Sequence, residues 1–345
     1  MEKRRRHLYK IGAAALVLLV PLAVLLFPES GSGRDDGKIL IGLSADSQVI
    51  ERWQRDQEIF LQKATDLGAS VIVHNANEDN EVQVAQIRTL VRQKVDVIVV
   101  IPYDKDGVAE AVNDAKKAGI KVVAYDRLVN NADLDAYVSF DQVKVGRLMA
   151  QALVAAVPEG NIAVANGSPE DNNTNLFRQG YMEVLQPLVD RGSLRIIGET
   201  WARDWREEHA YALVSGLLDA GLSIHGVVGA NDRLAEAAIR ALAERGMAGK
   251  VPVVGHDADV SACQRIVEGT QLATVYKPIP ALAERAALLA VDLARGGAAP
   301  QEETIFNGRK EVPYVKLDVV LVTKENMRET VIADGFHREE DIYRQ

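Results

Sequence analysis

Asp126 and Arg127 stand directly after a strand-like run, Lys121-Val122-Val123-Ala124-Tyr125. A carboxylate and a guanidinium at the carboxyl end of such a strand lie where open α/β sheets bind ligands. Together they offer acceptors and a rigid fork of donors, a chemistry that suits a polyol better than a phosphate or an apolar molecule. Taken alone, the dipeptide reads equally well as an idle surface ion pair. Polar and aromatic residues recur at the same topological place along the chain. Arg52 and Trp53 follow the first strand-like run, Asn172 and Asn173 the run ending near Ala165, and Trp201 and Trp205 the segment 194–199. Asn231 and Asp232 follow 226–230, Asp257 follows 251–255, and Lys277 follows Thr274-Val275-Tyr276. The chain's three tryptophans all fall in these loops. There an indole face can stack on the C–H face of a sugar ring while polar neighbours take its hydroxyls. Loop-anchoring packing explains any one of them, but gives no reason for all to share one rim with charged groups.

Other chemistries lack their residues. His74, His209, His225 and His256 stand singly, without the i, i+4 or CxxC spacing of zinc sites. No GxGxxG follows the first strand, no GxxxxGK[ST] is present, and no GxSxG elbow appears. No nucleophile, metal or cofactor loop is identified, so the chain is read as a non-enzyme that needs no cofactor. A net charge of −9 argues against nucleic acid as partner, because phosphate binding calls for a basic face.

The elements that must carry these loops alternate regularly. Continuous Val/Ile runs at 39–43, 70–74, 95–101, 121–125 and 136–140 are separated by helical patterns at 51–67, 82–92 and 108–118. Unbroken apolar runs mark parallel strands covered on both faces, and repeated βα units make a doubly wound sheet. The pattern restarts with a helix over 143–157 and strands at 161–165, 194–197, 226–229, 251–254 and 273–275. About ten strands strain the limit for one open sheet. Two lobes of about five strands each are expected instead, with a crossover near Asp141.

The N-terminus is different. Lys3, Arg4, Arg5, Arg6 and Lys10 precede an apolar run over 11–27, then Pro28, Glu29 and Ser30-Gly31-Ser32-Gly33. This reads as a secretory signal or signal anchor, basic end in the cytoplasm. Pro21 and the short run favour a cleaved signal. Leu25-Leu26-Phe27-Pro28 offers no small-x-small cleavage pattern, and the balance falls on an uncleaved anchor. The protein is therefore expected outside the cytoplasm, in the periplasm or held at the outer face of the cytoplasmic membrane by 11–27. The sole cysteine, Cys263, cannot carry a lipid after the apolar run or form an intrachain disulfide.

Several blocks in order carry a resemblance: Glu51-Arg52-Trp53-Gln54, Ile101-Pro102-Tyr103, Ala124-Tyr125-Asp126-Arg127, Ser139-Phe140-Asp141, and Gly167-Ser168-Pro169 with Asp171-Asn172-Asn173. Asn231-Asp232, Asp257-Ala258-Asp259, Val275-Tyr276-Lys277-Pro278 and Asp334-Gly335-Phe336 continue it. Through these, residues 38–341 resemble the type I periplasmic sugar-binding proteins. The resemblance implies two doubly wound parallel-sheet lobes joined by a three-strand hinge, with crossings near Asp141, near Tyr276-Lys277 and over 307–313. It places 1–37 as signal or anchor plus linker, 38–140 with 278–307 as the first lobe, and 141–277 with 308–345 as the second. It further implies that Arg52, Asp126, Arg127, Asn173, Asn231, Asp257 and Lys277 bind sugar hydroxyls, while Trp53 and Trp205 stack. The implied ligand is a monosaccharide, a pentose and D-xylose first, held without chemistry by hinge closure. The implied partner is the permease of a sugar ABC transporter. The alternative is a membrane histidine kinase, to which a tethered sensor would report.

Overall fold

The computed structural model describes residues 37–48 and 51–344. The basic and apolar N-terminal segment read as a signal or anchor lies outside the described residues. Among the described residues, no helix is long and apolar enough to cross a membrane.

The first part of the chain runs β1 (Leu40–Ala45), α1 (Glu51–Asp66), β2 (Ser70–Asn75), α2 (Asn80–Arg92), β3 (Val97–Val100), α3 (Ala109–Lys117), β4 (Lys121–Tyr125) and β5 (Ala136–Phe140). The second runs α4 (Gln142–Ala156), β6 (Gly160–Asn166), α5 (Asn172–Asp190), β7 (Leu194–Trp201), α6 (Glu208–Asp219), β8 (Gly226–Gly229), α7 (Asp232–Ala243), β9 (Val253–Val254), α8 (Val260–Glu268) and β10 (Thr274–Tyr276). The chain finishes with α9 (Ile279–Ala294), β11 (Thr304–Phe306), β12 (Glu311–Leu317), β13 (Val320–Val322) and α10 (Glu339–Ile342).

These strands form a seven-stranded sheet in the order β11-β12-β5-β4-β3-β1-β2, a four-stranded sheet β7-β6-β8-β9, and a pair β10-β13. The large sheet is parallel except at its β11 edge. Helices cover it on both faces, which is why β3 reads Val-Ile-Val-Val and every residue of it is buried. On one face Val97 and Val99 belong to a core with Phe60 of α1 and Leu282 and Ala286 of α9. On the other, Ile98 and Val100 pack with Leu90 of α2 and Val112 of α3. In the smaller sheet β6 is central, paired in parallel with β7 and β8.

The two βα layers are more unequal than the two sets of five anticipated. Tyr314–Leu317 pair in parallel with Tyr137–Phe140, so β12 is a strand of the large sheet. The chain therefore leaves that sheet after Leu317, later than the expected 307–313. Asp141 stands between β5 and α4, and Lys277 between β10 and α9.

One contact aims the second sheet's helices. A Cβ at Gly146 of α4 would lie 2.0 Å from the Phe177 carbonyl oxygen, and one at Gly180 of α5 would lie 1.9 Å from that of Val143. The helix backbones touch, and this close crossing fixes the N-terminus of α5 over the carboxyl end of β6.

Candidate functional site

The carboxyl ends of both sheets face one cavity of about 320 Å³. That is at the small end of the range typical for small-molecule sites. All nine residues anticipated as ligand-binding line it: Arg52, Trp53, Asp126, Arg127, Asn173, Trp205, Asn231, Asp257 and Lys277. Trp201, grouped with them in sequence, does not; it is 37% exposed at the end of β7. Asp232 also turns away, accepting hydrogen bonds from Gln271 Nε2 at 2.7 Å and Thr274 Oγ1 at 2.8 Å.

Asp126 and Arg127 do not form an idle pair with each other. Arg127 Nη1 lies 2.7 Å from Asp46 Oδ2, and its Nε lies 2.8 Å from Asp171 Oδ2 on the other sheet's side. Asp126 instead accepts from Arg52 Nη2 at 2.9 Å. Its backbone adopts φ 59°, an uncommon conformation for a non-glycine residue. That turn is held by its own carbonyl, which accepts from Tyr137 Oη at 2.7 Å, Ser139 Oγ at 2.6 Å and Asn173 Nδ2 at 3.1 Å. Asp257, at φ 107°, sits on a second such turn, pinned by its N–H donating to the Val275 carbonyl at 3.0 Å. Backbone strain gathered at a site implies that the surrounding structure over-determines it.

Helix caps do double duty here. Asp171 caps α5 by accepting from the Asn173 N–H at 2.9 Å, while its other oxygen takes Arg127 and Trp205 Nε1. Asn231 caps α7 through Oδ1, which accepts from the Leu234 N–H at 3.0 Å, leaving its amide donors for the cavity. Trp53, in the first turn of α1, is buried with the Arg52 guanidinium 4.4 Å from its ring centroid. Trp205 is seated on Gly167, where an added Cβ would fall 2.2 Å from the indole.

Seven further residues line the cavity, Asp171, Phe177, Arg233, His256, Asp259, Val260 and Ser261, and none of them was anticipated as ligand-binding. Asp171 was passed over beside Asn173. Phe177 lies one helical turn past Asn173 on the same face of α5, an i, i+4 relation that could have flagged it. His256 precedes Asp257 and packs on Phe177, ring centroids 4.4 Å apart.

The charges are interlocked. Lys277 Nζ lies 2.8 Å from Asp257 Oδ1. Burial pushes the Asp257 carboxyl up, but Lys277, His256 and Arg52 outweigh it and leave its pKa at about 2. Burial, helped by Lys277, lowers His256 to about 3, so its imidazole is neutral. Burial raises Asp46 to about 6 against the pull of Arg127. Around the cavity the four cations Arg52, Arg127, Arg233 and Lys277 match the four carboxylates Asp126, Asp171, Asp257 and Asp259. A balanced wall of donors and acceptors favours a neutral, polyhydroxylated molecule over an anion or cation. No group of three or more His, Cys, Asp or Glu able to hold a metal occurs among the described residues.

Residues 41–298 match the family model described as a periplasmic binding protein domain. The chain is 46% identical over 335 residues to the D-xylose-binding periplasmic protein of Haemophilus influenzae, covering 97% of this chain and 99% of the relative. It is also 46% identical over 306 residues to the D-xylose-binding periplasmic protein of Escherichia coli, covering 88% and 93%. Among solved structures, a carbohydrate transporter solute binding protein from Chloroflexus aurantiacus in complex with D-glucose superposes with a TM-score of 0.81 at 27% identity, covering 89% of this chain and 99% of that one.

Proposed function

The chain belongs to the periplasmic binding protein family, and from that premise we propose that it is the sugar-binding component of an ABC importer, with D-xylose as its first ligand. It binds and releases the sugar without chemistry. The observation that carries this is the convergence of nine residues, from loops and helix starts after the strands of both sheets, on one charge-balanced cavity of about 320 Å³. Asp126 and Asp257 accept from sugar hydroxyls; Arg52, Arg127, Asn173, Asn231 and Lys277 donate to sugar oxygens. Trp53 and Trp205, from opposite lobes, face the ring. Hydrogen bonds to charged groups contribute about 1.5–3 kcal/mol each, against about 0.5–1.5 for neutral pairs, so this set can hold a small polyol tightly.

We divide the chain into a first lobe of 38–140 with 278–317 and a second of 141–277 with 318–344. The shift from 307 to 317 follows β12 into the large sheet. Arg127 with Asp171 and Asp126 with Asn173 meet across the lobes, so the geometry is that of the closed cleft. A sugar favours closure by the difference between its affinities for closed and open states. Pentose selection comes from the relatives' names, and import is preferred to kinase-coupled sensing on the same ground. Export follows from the family; anchoring through 11–27 is the narrower form of that reading.

Calorimetry against D-xylose, D-ribose, L-arabinose, D-glucose and D-galactose tests the assignment. D-xylose should give the largest affinity. Absence of heat across the panel would overturn the function, and a clear preference for a hexose would overturn the ligand.

A further inference from the structure

The lobes also touch outside the sugar cavity, along one rim. Tyr103 Oη, from the loop after β3, donates to Asp204 Oδ1 at 2.7 Å. Lys105 donates from Nζ to the Pro169 carbonyl at 2.6 Å and from its backbone N–H to that of Glu170 at 3.0 Å. Neither Tyr103 nor Asp204 lines the large cavity; both border a separate hollow of about 20 Å³ with Asp46, Arg127 and Asp171.

What Tyr103 grips is unusual. Asp204 and Trp205 are consecutive non-glycine residues with φ 54° and 56°, both in the left-handed region. Such a conformation persists only where neighbours hold it. The available ties are few. The Asp204 N–H donates to Ser168 Oγ at 3.1 Å and the Trp205 N–H to the Ala202 carbonyl at 2.9 Å, while the Asp204 carboxylate accepts from Tyr103 and has the Arg206 Nε farther off at 3.9 Å. In this loop shape the Trp205 ring packs against Gly167 and its Nε1 reaches Asp171 Oδ2 at 3.3 Å. Of these ties only that of Tyr103 comes from the opposite lobe, so it exists only when the cleft is closed.

We propose that Tyr103 is a cross-lobe positioning residue: its hydrogen bond to Asp204 holds the strained loop that presents Trp205, so that closing the cleft and seating the stacking face are one event. The proposal rests on the sugar-binding reading for its ligand readout. It predicts an effect on release, because a bond that forms after encounter slows dissociation and leaves association alone.

The test is stopped-flow tryptophan fluorescence and calorimetry with D-xylose on the full chain and four variants. Tyr103→Phe should weaken binding about tenfold, the loss of roughly one hydrogen bond to a charged group, and nearly all of it should appear in the off-rate. Asp204→Ala should match it, and the Tyr103→Phe/Asp204→Ala double variant should be no weaker than either single one. Asp204→Asn keeps an acceptor and tolerates the left-handed backbone, so it should stay within about threefold of wild type. Wild-type affinity and off-rate in Tyr103→Phe, or a double-variant loss equal to the product of the singles, would overturn the proposal. If the wild-type protein itself binds no sugar of the panel, it is the sugar reading that fails. Small-angle scattering of the sugar-free protein then decides, with Tyr103→Phe expected to be more extended than wild type and equal radii counting against the latch.

Discussion

At the scale of single residues the site is a set of shared obligations, and this sets what each substitution should do. Arg127 is buried between Asp46 and Asp171. Arg127→Ala removes the donor we propose for the sugar and strands two buried carboxylates. It should abolish measurable sugar binding and cost about 3–5 kcal/mol of stability, read together by calorimetry and urea unfolding. Unchanged affinity would remove Arg127 from the site. Trp205→Ala should weaken D-xylose and D-glucose by similar factors, because a stacked face does not read individual hydroxyls; a loss confined to one sugar would contradict that role. The residue types and their places after strands were legible in the sequence, since a ligand site at strand ends needs polar residues there. The partnerships were not. Nothing in the order Asp126-Arg127 says that one side chain turns to Arg52 and the other to Asp171, because those choices depend on the left-handed turn at Asp126. Trp201 illustrates the same limit: it ends β7 four residues before Trp205, yet the intervening turn at 203–205 carries only Trp205 inward.

At the scale of elements, the buried strands announced themselves and the edge strands did not. The first five strands appear as continuous apolar runs because helices cover both sheet faces. In β12 the run is broken by Glu311, Pro313 and Lys316, and β11 has only three residues with Phe306 exposed. A strand near a sheet edge needs no unbroken apolar run and tolerates proline, so neither β11 nor β12 stands out in the sequence. The α4–α5 crossing was equally invisible, since two lone glycines in helices carry no signal until their backbones are seen to meet. It makes its own prediction. Gly180→Ala places a methyl where the Val143 carbonyl stands. The helices must part at a cost of about 1–3 kcal/mol. The displaced α5 should also carry Asn173 away from Asp126, so a lower melting temperature should come with weaker sugar binding. A melting temperature equal to wild type would mean that the crossing relaxes freely and does not aim the site.

At the scale of the whole molecule, the buried charges tie stability to pH in two opposing ways. His256 is neutral in the fold, held by burial among Phe177 and Trp205 with Lys277 and Arg52 adding to the penalty for protonation. Its pKa falls from 6.5 unfolded to about 3 folded, so between those values the unfolded chain binds the extra proton. Acidification through that window removes stability, and the contribution is complete only above about pH 6.5. Asp46 behaves oppositely. Its pKa rises from 3.8 to about 6, the folded state is the better proton binder between those values, and acidification there restores stability that is missing at neutral pH. Across pH 4–6 the two slopes offset, which leaves the wild-type curve flatter than either group alone would make it. His256→Gln removes one arm. Relative to wild type it should gain about 2–3 kcal/mol on moving from pH 7.5 to 4.5, whatever its absolute stability, from urea midpoints at the two pH values. Asp46→Asn should shift by about 2 kcal/mol in the other direction over the same interval. Parallel stability curves for wild type and both variants would show that neither group is held away from its ordinary pKa. The electrostatic account of the closed site would then have to be rebuilt around the Arg52, Arg127 and Lys277 pairs alone.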